Sequence, residues 1–145
     1  MKIAVCGSIG VSDKLIEVAE TLEKNGHEVN LPYYTKKIKN GEMTLDEFNI
    51  AKDESGDTKF REMATEDLIK RYYRVIGESD AIVVVNTDKN GIKNYIGGNT
   101  LMELGFAYVL DKKIFLLSPI PEMSYTDEIV AVKPIVINND LGEIK

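Results

Sequence analysis

Two short runs dominate the sequence: Ala81-Ile-Val-Val-Val85 and, within DKKIFLL, Lys113-Ile-Phe-Leu-Leu117. Both are continuous rather than alternating, and the first is rich in β-branched residues, the signature of strands covered on both faces in a parallel sheet. Parallel strands need helical crossovers, and the chain supplies them. Ile3 to Cys6 is a first apolar run ending at Gly7-Ser8, followed by the candidate caps Ser12 and Asp13 and by Leu15, Val18, Ala19 and Leu22 at helical spacing. Asn25-Gly26 stops that helix, and His27 to Leu31 reads as a second strand ended by Pro32. A long amphipathic helix is marked by Phe60, Ala64, Leu68, Tyr72 and Val75 and ends near Gly77. A helix near Thr100 to Leu110 joins the two buried runs, and Pro134 to Ile137 forms a last strand.

The resulting order β-α-β-α-β-α-β-β predicts a three-layer, doubly wound α/β fold, Rossmann-like or flavodoxin-like, with a mainly parallel sheet. Right-handed crossovers put the strand C-termini on one edge, where ligands bind. Three loops are expected to meet there: Gly7 to Asp13, Asn86 to Thr100 and Ser118 to Asp127. Residues Tyr34 to Lys59 are highly charged, contain Asn40-Gly41 and Ser55-Gly56, and read as a mobile excursion with one short helix from Leu45 to Lys52. A length of 145 residues suits a single domain, spanning 1–145.

Composition narrows the function classes. Cys6 is the only cysteine, so no intrachain disulfide forms, and no metal site is expected from carboxylates and the single His27. A formal charge of −6 opposes affinity for nucleic acid or an anionic membrane. No apolar run approaches the length of a membrane span, and no export signal is visible, so a cytoplasmic location is expected.

Among candidate functional residues, Gly7 and Ser8 in CGSIGVSD follow a strand and precede a helix, a place where backbone N–H groups can hold an anion. Neither GxGxxG nor GxxxxGK[ST] is present, and a tight turn that needs Gly7 explains the loop equally well. Glu103 stands out more. It is the only charge in the helical block from Thr100 to Leu110, which is apolar on nearly every face and therefore expected to be buried. Thr100 with Glu103 fits a capping box. Alternatively, the positive helix end keeps the carboxylate ionised against the effect of burial, and an ionised, positioned carboxylate is a competent nucleophile. His27 is read as a surface or edge residue, Lys70, Arg71 and Arg74 as a solvated helix face with contact to acidic residues or phosphate as the alternative, and Tyr72 and Tyr73 as packing residues.

The strand SDAIVVVN, the approach GGNT, the block TLMELGFAY, the run DKKIFLL and the opening CGSI together resemble the nucleoside 2-deoxyribosyltransferase superfamily, which includes the deoxynucleoside monophosphate N-glycosidases. The likeness covers most of the chain and is weakest over Tyr34 to Lys59. It implies that Glu103 is the nucleophile at the anomeric carbon of a 2-deoxyribosyl group, through a glycosyl-enzyme and with retention of configuration. It also implies substrate contacts from Gly7, Ser8, Asn86, Gly97, Gly98, Asn99 and Thr100, with a small-molecule nucleoside or nucleotide as partner and no cofactor. The chain departs from the pattern at two positions. Gly97 stands where the transferases carry an aspartate six residues before the nucleophile, and Asn86 replaces the aspartate that ends the central strand. Asp88 is the nearest carboxylate left to protonate or hydrogen-bond a leaving base, and the Asn86 amide can address a base edge. The resemblance further implies a homodimer or higher homo-oligomer, with Tyr125, Asp127 or Glu128 acting on a neighbour's site. The alternatives on the same fold are a non-catalytic nucleotide-binding or sensing domain and a flavin carrier.

Overall fold

The computed structural model describes residues 1–54 and 58–145, with side chains described outside 51–66. The turn read at Ser55-Gly56 and the side chains of Phe60 and Ala64 lie outside the described residues. The strands are β1 (Lys2–Cys6), β2 (Glu28–Asn30), β3 (Ala81–Val84), β4 (Lys113–Leu116) and β5 (Ile135–Val136). The helices are α1 (Ser12–Lys24), α2 (Tyr33–Lys39), α3 (Leu45–Glu54), α4 (Thr58–Gly77), α5 (Gly98–Val109) and α6 (Thr126–Ala131). The sheet has the order β2-β1-β3-β4-β5, and every pair is parallel. The sheet is doubly wound, as expected from the sequence, and its order puts the switch point between β1 and β3.

Alternation along β1 explains the layers, because successive side chains leave opposite faces. Ile3 and Val5 pack with Leu15, Val18 and Leu22 of α1, together with Val83, Phe115 and Ile137. Ala4 and Cys6 pack on the other face with Tyr72 and Ile76 of α4, Leu104 and Ala107 of α5, and Ile129 of α6. All four residues of β3 are buried, as a central strand with helices on both faces requires.

Three expectations need correction. The stretch after Pro32 begins with a helix that the sequence reading missed: α2 is held on α1 by the Ser12–Thr35 hydroxyl pair at 3.0 Å and by Lys39–Glu23 at 3.2 Å. Those contacts are tertiary, so local pattern did not announce them. A helix, α6, also separates β4 from β5, where the sequence reading ran strand to strand. Finally, α5 is not buried all round. It packs against α4 and the sheet on one side, leaving Met102, Tyr108 and Val109 exposed.

Candidate active site

The C-terminal ends of β1, β2 and β3 open onto one cavity of about 690 Å³, a size suited to a small ligand. The loop after β1 supplies Gly7 to Gly10, the segment after β2 supplies Asn30 to Tyr34, and the run into α5 supplies Gly97 to Thr100. Helix α4 closes one side with Arg71, Tyr72 and Val75. The loop from Ser118 to Asp127 contributes nothing to the lining among the described residues, contrary to expectation. Its Tyr125 instead donates a hydrogen bond to the carbonyl of Ile96, bracing the approach to α5 from outside.

Glu103 lines this cavity. Its helix starts two residues earlier than the sequence suggested, with Gly97 as N-cap and no side-chain cap. Thr100 is therefore the third helical residue and Glu103 the sixth, so the capping box does not form. A capping carboxylate must sit at the third position. One turn and a half into the helix, Glu103 has also left the zone where the dipole acts most strongly. Desolvation decides instead, raising its pKa from 4.5 to about 7, while the Cys6 thiol beside it pulls in the opposite direction. The expectation that the helix end offsets burial is thus reversed. Oε2 is buried and has no hydrogen-bond partner. Such an atom is costly to leave unpaired.

Cys6 and Tyr72 sit behind the carboxyl group. Both are buried and both have pKa values raised well above normal, first by desolvation and then by their neighbours in this cluster. The Tyr72 hydroxyl donates to the carbonyl of Val5, fixing α4 against β1. Tyr72 is a packing residue, as its sequence context suggested, and it also forms part of the cavity wall.

The glycine loop is the second feature. Ser8 caps a single 3₁₀ turn, accepting from the backbone N–H of Gly10 at 3.3 Å and from Nζ of Lys89 at 2.9 Å. With both lone pairs engaged, Ser8 has its proton left to donate. Gly7 is required sterically: a Cβ there would lie 2.7 Å from Leu15 Cδ2 and 3.2 Å from the Val85 carbonyl oxygen. Gly97 and Gly98 face no such constraint, since a Cβ at Gly97 would meet only the Tyr95 ring, at 3.5 Å, and one at Gly98 would meet nothing.

The remaining candidates are placed elsewhere. Asn86 is fully buried, its amide donating to the Ser118 and Pro119 carbonyls at 3.0 Å each, while its oxygen accepts from Ser118 N–H at 2.9 Å. It staples the ends of β3 and β4 and is outside the cavity lining. Asp88 is exposed, accepts from Asn94 N–H at 3.0 Å, and is likewise outside the lining. His27 donates from Nε2 to the carbonyl of Ile144 at 3.1 Å, at the far end of the sheet.

The structure brings in Lys36 and Lys89, which the sequence reading passed over, and Arg71, which it placed on a helix face. Lys36, Arg71 and Lys89 all line the cavity, whereas Glu103 is its only carboxylate among the described residues. Arg71 is exposed, as a solvated helix face implies, and its guanidinium also lies 4.9 Å from the ring centroid of Tyr33. Tyr33, Tyr34 and Phe48 form a contiguous aromatic wall, with centroid separations of 5.2 and 4.9 Å. The available signal was positional, because Tyr33 and Tyr34 directly follow a parallel strand at the ligand-bearing edge.

Fold and site together define a doubly wound α/β domain with one half-buried glutamate, its Oε2 buried, and several cations around a ligand-sized cavity. No protein-family model and no curated protein matches the chain. Solved structures similar to it include the following two. The 2-deoxyribosyltransferase of Bacillus psychrosaccharolyticus is 22% identical, with 85% of this chain and 76% of that one covered at a TM-score of 0.49. Clostridium botulinum CMP N-glycosidase BcmB is 18% identical, with 95% of this chain and 90% of that one covered at a TM-score of 0.48. Both are likenesses of fold.

Proposed function

We propose that this chain cleaves or transfers at the N-glycosidic bond of a 2-deoxynucleoside 5′-monophosphate, with Glu103 as nucleophile. The observation that carries this reading is the Glu103 carboxyl group itself, with a buried, unpartnered oxygen in a cavity whose other charged lining residues, among those described, are the cations Lys36, Arg71 and Lys89. The motif resemblance around Glu103 supports the same role. A carboxylate with a pKa of about 7 is substantially ionised at neutral pH. It attacks the anomeric carbon as the bond to the base breaks, stabilising the positive charge that develops on the sugar. Water or a second base then displaces the carboxylate from that carbon, giving net retention.

The 5′-phosphate is assigned to Ser8, Lys89 and the backbone of the Gly7–Gly10 loop, which offer a hydroxyl proton, an ammonium and main-chain N–H groups. In a chain of net charge −6, cations gathered at one cavity favour a dianionic ligand there. Gly97, Gly98, Asn99 and Thr100 line the wall beside the sugar in this reading, whereas Asn86 and Asp88 support loops outside it. The exposed Met102, Tyr108 and Val109 on α5 support a homo-oligomer, a state that sedimentation velocity measures directly.

The decisive experiment incubates purified protein with deoxynucleosides and their 5′-monophosphates, with and without an acceptor base, and follows base release chromatographically. Release from monophosphates is expected, and Glu103→Gln should lower it by ~10³-fold or more. Ligand-induced thermal shifts without any turnover would support the non-catalytic binding domain instead.

A further inference from the structure

We propose that the leaving base departs as an anion neutralised by Arg71, which makes 2,4-dioxopyrimidine nucleotides the preferred substrates. This inference rests on the glycosidic reading above and deepens it. An enzyme that releases a base must manage the electron pair that moves from the broken C1′–N bond onto the base, either by protonating the base or by stabilising its negative charge. Protonation by a second carboxylic acid is not supported by the lining, because Glu103 is the only carboxylate among its described residues and is already committed to the sugar.

The cations divide by position. Lys89 is bound to Ser8 at the glycine loop, the end assigned to phosphate. Arg71 lies instead against Tyr33, beside the Tyr33–Tyr34–Phe48 wall. Arg71 and Lys37 both lie over the Tyr33 ring, at 4.9 and 4.8 Å from its centroid, so a planar base is left Tyr34 and Phe48 to stack on, with its edge toward the Arg71 guanidinium. Arg presents N–H donors and no acceptor. It therefore pairs with carbonyl oxygens, and it disfavours the exocyclic amino groups of cytosine and adenine.

The step balances as follows. A Glu103 oxygen forms a bond to C1′ as the C1′–N1 bond breaks, and N1 keeps the electron pair. The charge spreads to O2 and O4, where Arg71 stabilises it while remaining protonated itself. Uracil or thymine supplies two carbonyls for this delocalisation. The released anion takes its proton from water, and a water molecule subsequently opens the glycosyl ester.

The test compares kcat/KM for base release from dUMP, 5-fluoro-dUMP, dCMP and dAMP, using the wild-type chain, Arg71→Ala and Arg71→Lys, with melting temperatures measured in parallel. The wild type is expected to prefer dUMP over dCMP and dAMP by about tenfold or more, and to release the more acidic fluorinated base faster still. Arg71→Ala should lower dUMP turnover by about 10–100-fold, the range for losing a charged hydrogen bond, with a smaller loss on dCMP. Arg71→Lys should recover part of the loss. An equal or greater rate on dCMP or dAMP, a uniform loss across substrates in Arg71→Ala, or insensitivity to fluorination would overturn the inference while leaving the glycosidic reading intact. The wild-type comparisons decide this even if a variant does not fold. Absence of base release from every substrate would overturn both.

Discussion

The ammonium of Lys89 lies 2.9 Å from the hydroxyl of Ser8, joining the loop after β3 to the loop after β1 across the switch point of the sheet. The two residues are far apart in sequence and meet because their strands are neighbours. If this pair holds a 5′-phosphate, Lys89→Ala should lower kcat/KM for a deoxynucleoside monophosphate by about 10–100-fold while changing that for the unphosphorylated nucleoside much less. Parallel kinetics on the two substrates check this, and equal losses on both would remove Lys89 from phosphate recognition.

Glu103 makes the protein's stability depend on pH. Its folded pKa of about 7 lies above the ordinary 4.5, so the native state binds the proton more tightly than the unfolded state. The contribution is fully present below about pH 4.5 and is lost as pH rises through 7. Glu103→Gln should therefore match the wild type near pH 4 and exceed it at pH 8, by on the order of 3 kcal/mol at most. Urea denaturation at both pH values measures the difference. A variant less stable than wild type at pH 8 would contradict the desolvated carboxyl.

The same titration governs chemistry if the carboxylate is the nucleophile. Turnover should rise with pH through about 7 and then level as Glu103 ionises. The Cys6 thiol lowers that pKa, so Cys6→Ala should move the rise to higher pH, and Cys6→Ser should restore it by supplying a hydroxyl donor. A pH–rate profile unmoved by Cys6→Ala would show that the thiol does not tune the carboxyl.

Gly7 offers a test of packing independent of catalysis. An added methyl would press on Leu15 at 2.7 Å and on the Val85 carbonyl at 3.2 Å, and the backbone cannot yield easily. Gly7→Ala should destabilise the fold by about 1–3 kcal/mol, whereas Gly98→Ala, with open space at its Cβ, should cost far less by that route. Thermal unfolding of the two variants discriminates between them.

The sequence was most informative where burial repeats along one element. The uninterrupted apolar β3 and β4 announced a parallel sheet, and the spacing of Leu15, Val18, Ala19 and Leu22 announced α1. Glu103 stood out because a charge within an apolar helical block must be reconciled with its surroundings. Helix α2 escaped notice because Ser12 and Glu23 of α1 hold it in place, and neither is local to it.

By itself, then, the sequence determined the layers, the succession of strands and helices and the helix that carries the carboxylate, because periodicity records which face of each element meets the core. Tertiary structure alone decided what surrounds that carboxylate. Asn86 turned toward β4, Asp88 closed its own loop, and Arg71 with Tyr33 came to the cavity from segments joined only through the sheet. Contacts between loops depend on how the strands are ordered side by side, and no local pattern encodes that order.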